Sequence, residues 1–211
     1  MTKGQTRNQH PRLRYLLEKD FHFVSFARTE LFSQHPFFDV AYEEIIYLST
    51  TKFLETGHRR NALINPPADL NYTSQRTNGF RRALNERGIL PKPELTVEME
   101  LSFESGSEIM DKFLGMKNSP RAFLCPGFST TLGMLTSLKE RGLAIGRDIC
   151  LIAFEGIRYL EFSDPPVNAF YASLDHTGKQ LCRLLLQRIQ WEKPENLQIL
   201  EKSEYHDRDS C

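Results

Sequence analysis

The side chains that could do covalent or acid–base chemistry are not arranged as that chemistry requires. Ser129 sits in GFSTTLG, which lacks the second glycine of the GxSxG elbow that exposes a nucleophilic serine above a sheet. His22, His35, His58 and His176 stand singly, with no HExxH pair to hold zinc, and are expected on the surface or in loops. No GxGxxG or Walker-type phosphate loop occurs. Glu155 and Asp39 are carboxylates that could pair in space as acid and base, but their spacing does not decide it. Cys125, Cys150, Cys182 and Cys211 are far apart, with no CxxC and no histidine at metal-ligand spacing. The first three are expected as small buried hydrophobes and Cys211 in a tail. The pattern names no catalytic residue, no metal ligand and no cofactor, and leaves binding as the chemistry to look for.

The elements that must position a binding site are easier to read. The chain has 211 residues, 27 basic and 27 acidic side chains, 40% hydrophobic and 11% aromatic residues. That length suits one large domain or two small lobes, and the aromatic content excludes a disordered chain. Zero net charge gives no sign of a polyanion binder in this segment. No apolar run is long enough to span a membrane, and the polar start MTKGQTRNQHPR has no signal-peptide core, so the expected compartment is cytoplasmic.

Strand and helix patterns alternate. Residues 1–10 look loose. Residues 11–19 read as a short amphipathic helix, 21–27 as a buried strand, and 28–39 as a loop. Residues 41–56 read as a helix closed by Gly57, and RRNALINPP as a strand stopped by prolines. A helix over 75–87 capped by Thr73 or Ser74, a strand over 94–103 and a helix over 107–116 follow. Next come a strand over 121–125, a helix over 129–141 and a strand over 148–154. VNAFYAS, HTGKQLCRLLLQRIQ and LQIL read as strand, helix and strand. Such alternation predicts an α/β fold of parallel sheets with right-handed crossovers.

The ordered set of motifs resembles the lactose-repressor (LacI/GalR) family. RAFLC, a helix, ERGLAIGRDI, an apolar strand, DPP and GKQLCRLLLQRI follow one another as in the family's effector-binding region. Upstream, TGHRRNALINPP, RTNGFRRALNERGI and RYLLEKDFHFVSFARTE are similar to earlier family steps, and EYHDRDS to its closing strand. The resemblance runs from about Pro11 to Ser210. It implies a periplasmic-binding-protein-like type I fold of two parallel-sheet lobes. Residues 1–57 and 172–194 would form an incomplete N-terminal lobe, and residues 58–171 and 195–211 a complete C-terminal lobe. The helix-turn-helix headpiece of the family is not matched, so operator DNA would be met only through a headpiece absent from this chain. An incomplete first lobe is expected to expose apolar surface around Phe21, Phe23 and the helix over 178–190.

The resemblance also supplies site residues. Arg76 matches the family arginine that reaches between the lobes, where a planar guanidinium can donate to vicinal sugar hydroxyls. Arg28, at the end of the first strand, could reach the ligand or pin its loop. Three positions depart from the family pattern: Ala41-Tyr42, Gly127-Phe128 and Glu155-Gly156 replace pairs that are commonly acidic or amide-bearing. Tyr42 and Phe128 could stack on an apolar sugar face, and Glu155 could accept hydroxyl hydrogen bonds. Leu132, Leu160 and Phe162 fall at positions expected in a homodimer interface. The implied function is effector sensing, with a sugar as effector, by a non-enzymatic bacterial transcriptional regulator. The alternative is a stand-alone periplasmic-type sugar-binding protein, against which the missing signal peptide argues.

Overall fold

The structure is a computed structural model and describes residues 11–29 and 35–211; the reading of residues 1–10 lies outside these. Two sheets organise it. The first holds β1 (Ser25–Phe26), β2 (Phe37–Val40) and β8 (Gln198–Glu201), all parallel, in the order β1-β2-β8. The second has the order β4-β3-β5-β6-β7-β9, from β3 (Asn61–Asn65), β4 (Thr96–Glu98), β5 (Ala122–Cys125), β6 (Cys150–Glu155), β7 (Asn168–Tyr171) and β9 (Glu204–His206). It is parallel except for β9, which runs antiparallel to β7.

The second sheet is covered on both faces, which explains why β3 and β5 are apolar and buried at nearly every position. Strand alternation sends Leu63, Leu124 and Ile152 to one face. There they meet Ile45, Ile46 and Phe53 of α2 (Tyr42–Glu55) and Phe80 and Leu84 of α3 (Asn71–Glu86). Ala62, Ile64, Phe123 and Leu151 point to the other face. They pack against Ile109, Met110 and Phe113 of α4 (Phe103–Leu114) and Met134 and Leu138 of α5 (Phe128–Glu140). Glycines permit the closest crossings: a Cβ on Gly79 would run into the carbonyl of Glu43 on α2, and one on Gly133 into the carbonyl of Phe103 on α4.

The first sheet has a smaller core. Phe38 packs with Leu184 of α6 (Leu174–Ile189) and with Leu197. The outer side of α6 leaves Leu186 and Ile189 exposed, Phe21 and Trp191 are exposed nearby, and Phe23 is half-buried. A further helix, α1 (Pro11–Glu18), buries only Leu13.

Several expected boundaries move. The buried strand expected over 21–27 shortens to two residues, and the expected loop contains β2, because Phe38 and Val40 are needed inside. Helix α2, expected with the first lobe, packs on the second sheet. Strand β8, expected with the second lobe, extends the first by pairing with β2. The strand expected over 94–103 is paired only at Thr96–Glu98. Helix α3 starts at Asn71 without a side-chain cap; the Thr73 hydroxyl instead donates to the Pro67 carbonyl, 3.0 Å away. Helix α4 starts earlier than expected, behind a Ser102–Ser105 capping box. Cys150 and Cys211 form a disulfide, with Cα atoms 4.2 Å apart, and Cys182 is exposed; only Cys125 is a free buried thiol. His35, expected at the surface, is buried beside the Ser25 hydroxyl.

Candidate functional site

In parallel α/β sheets, ligands bind beyond the carboxyl ends of the strands. Here the carboxyl ends of β2 and β3 lead into α2 and α3, and Arg76 projects from α3 back onto β3. Its side chain is fully buried. Nε donates to Asn65 Oδ1 at 2.8 Å, and one terminal nitrogen, Nη2, donates to the Ile64 carbonyl at 3.2 Å. The other, Nη1, is buried with no partner among the described residues. No carboxylate of the described residues lies within ion-pair distance of this guanidinium. Burial pushes its pKa down from the ordinary arginine value, and Tyr72, Tyr42 and Cys125 partly oppose that shift. A buried cation with a free donor is costly unless an acceptor completes it.

An aromatic group lies beside it. Tyr42, the first residue of α2, stacks on Tyr72 of α3 at 4.9 Å between centroids and tilts against Phe154 of β6 at 5.2 Å. Burial raises the pKa of both phenols, with Tyr72 and Asp39 adding to the shift at Tyr42 and Arg76 opposing it at both. Both rings are therefore neutral near pH 7, each offering a flat face and a hydroxyl.

Arg28 joins the two sheets. Its Nε donates to Asp39 Oδ2 of β2 at 2.7 Å, and its Nη2 donates to Gln75 Oε1 of α3 at 2.6 Å. The Arg28 carbonyl accepts from the Asn71 side chain, also on α3. Thus Arg28 pins its loop and links β2 to α3. Asp39 and Glu155 do not pair with each other; each has its own arginine.

Of the expected ligand residues, Arg76, Arg28 and Tyr42 come together. Phe128 does not join them: half-buried at the start of α5, it packs on the core of the opposite face and turns its ring to Tyr159, 5.2 Å away. Glu155, expected to accept hydroxyls, is engaged inside the chain. It accepts from Arg208 Nη2 at 2.9 Å and from the Leu160 amide at 3.0 Å. Leu160, expected at a dimer interface, is fully buried in the core of the second sheet, whereas Leu132 is half-buried and Phe162 is 80% exposed. Among the described residues no cluster of three acidic, histidine or cysteine side chains could hold a metal ion. Asn65, Tyr72, Gln75 and Phe154 were not anticipated. Tyr72 had a signal: it precedes Arg76 by four residues, which puts both on one face of a helix.

Residues 50–211 match the model of the periplasmic binding protein-like domain. The chain belongs to that family. Within it, this domain is the effector-binding region of a LacI/GalR-type regulator, as its relatives agree. It is 30% identical over 165 residues to the HTH-type transcriptional repressor PurR of Haemophilus influenzae (strain PittEE), covering 77% of this chain and 47% of that protein. A solved LacI-family regulatory protein from Chloroflexus aggregans superposes with a TM-score of 0.90 at 23% identity, covering 97% of this chain and 74% of the other. A complex of the transcriptional regulator CelR with cellobiose superposes with a TM-score of 0.88 at 23% identity, covering 98% and 64%. The chain spans less than half the length of the curated relatives it matches.

Proposed function

We propose that this domain senses a small-molecule effector, a sugar, held between the two sheets, and that the whole regulator uses it to modulate operator binding through a headpiece. The observation that carries the reading is the buried Arg76 guanidinium, whose Nη1 lacks a partner beside the Tyr42–Tyr72 stack. Vicinal hydroxyls would accept from Nη1, and the apolar face of a pyranose would lie on a phenol ring. The regulator CelR, which shares this fold, was solved as a complex with cellobiose, and this supports a sugar as effector. Arg28 would sense closure, because it already touches elements of both sheets. A homodimer using Leu132 and the exposed Phe162, working in the cytoplasm, completes the proposal. No catalytic step belongs to it.

A thermal-shift panel of pentoses, hexoses, disaccharides and nucleosides tests it. A sugar that raises the melting temperature of the wild type should fail to raise that of Arg76→Ala, and should do so weakly for Tyr72→Ala. Equal shifts in all three proteins would refute the assigned site. A response to nucleosides alone would overturn the sugar reading while leaving the cleft as the effector site.

A further inference from the structure

We propose a second small-molecule site at the opposite end of the second sheet, formed where β3 begins and α3 ends, for a small planar anion that carries a lactam or amide edge. It goes beyond the effector reading, since the cleft lies at the carboxyl ends of the strands and this pocket at their amino ends. Its cavity is about 220 Å³. That is below the roughly 300–1,000 Å³ of drug-sized sites and suits one ring with its substituents.

Three features define the occupant. The floor is apolar, made of Phe80 and Leu84 from α3 together with Leu95. Asn61 lines the same cavity, is 2% exposed, and leaves both its amide nitrogen and its amide oxygen without a partner among the described residues. Strand alternation places it on the face it shares with Leu63, the face that α3 covers. A buried amide with neither bond made costs stability, so a partner offering one acceptor and one donor side by side is the chemistry that satisfies it. A lactam or primary amide edge does so. The rim is basic: Arg59 and Lys92 line the mouth, are exposed, and form no salt bridge among the described residues. Arg60 is otherwise engaged, its Nε donating to the Asn118 carbonyl at 2.6 Å and its Nη2 facing Glu94 at 3.4 Å. The two free cations therefore select an acidic substituent on the ring.

Orotate is a planar lactam with a carboxylate and serves as the probe, with uracil lacking the charge and benzoate lacking the lactam edge. Calorimetric titration of the chain should give one saturable orotate site, with uracil and benzoate about tenfold weaker or undetectable. Asn61→Leu keeps the branched shape and removes the unpartnered amide. It should raise the melting temperature and abolish orotate binding. The surface double variant Arg59→Gln/Lys92→Gln, which touches no core, should weaken orotate severalfold and flatten its salt dependence. No binding of millimolar orotate to the wild type would overturn the site. So would orotate binding that survives Asn61→Leu, or a melting temperature lowered by that substitution, which would give the amide a structural partner instead.

Discussion

At the scale of single residues, two arginines divide two tasks. Arg76 is buried with one terminal nitrogen unpartnered among the described residues, and Arg208, its side chain 9% exposed, has both terminal nitrogens engaged. Arg208 Nη1 donates to the Val167 carbonyl at 2.6 Å while Nη2 pairs with Glu155. Glu155 is 1% exposed, and removing one partner of such a pair leaves an uncompensated charge. Arg208→Ala should therefore destabilise the fold by about 3–5 kcal/mol in denaturant titrations. A loss under about 1 kcal/mol, the range of exposed pairs, would show that water already reaches Glu155. Legibility at this scale depended on distance along the chain. Arg76 was singled out because a motif carried it. Glu155 was misassigned because the arginine that neutralises it comes 53 residues later, and no local pattern links the two. Phe128 failed likewise: an aromatic residue at a helix start can face a cleft or a core, and only the packing of α4 and α5 decides.

Among the elements, glycines show where spacing is fixed by backbone contact. Gly79 lets α3 rest on α2, with its missing Cβ occupied by the Glu43 carbonyl, whereas Gly178 on α6 has open space around it. The same substitution should therefore have opposite signs. Gly79→Ala should cost about 1–3 kcal/mol from overpacking, set against a helix-propensity gain of up to about 1 kcal/mol. Gly178→Ala should gain most of that propensity. Paired unfolding curves check this, and two shifts of the same sign would contradict the close α2–α3 approach. Helices with clear periodicity, such as α1 and α2, were legible within a residue or so. Short strands were not. Phe37–Val40 reads as loop because a strand of four residues behind a proline carries too little alternation. The start of α3 was misplaced because Thr73 and Ser74 look like caps but lie inside the first turn.

For the whole molecule, the sequential order of strands and helices was readable, but the allocation of α2 and β8 to lobes was not. The place of β8 is set by the free edge of β2, and that of α2 by the apolar face it buries on the second sheet. Arg28 links the first sheet to α3 through its bonds to Asp39, Gln75 and Asn71. Arg28→Ala should loosen the unliganded molecule while leaving each sheet's own core intact. Small-angle scattering should show a larger radius of gyration than wild type without effector, and the difference should shrink when a cleft ligand is bound. Superimposable curves would mean that Arg28 does not hold the lobes together. The apolar side chains on the outer face of α6 and just beyond it belong to this scale too: Leu186, Ile189 and, past the helix end, Trp191 are more than half exposed. An environment-sensitive dye should report that surface.

The interleaved topology has a consequence for how such a chain can be cut and recombined. Strands β1 to β4 precede the exposed Lys117–Asn118 turn and β5 to β9 follow it, yet each sheet draws on both groups. A break at that turn therefore leaves neither piece with a complete sheet. A nick at that turn would instead create two pieces with complementary sheet edges, each the template on which the other folds.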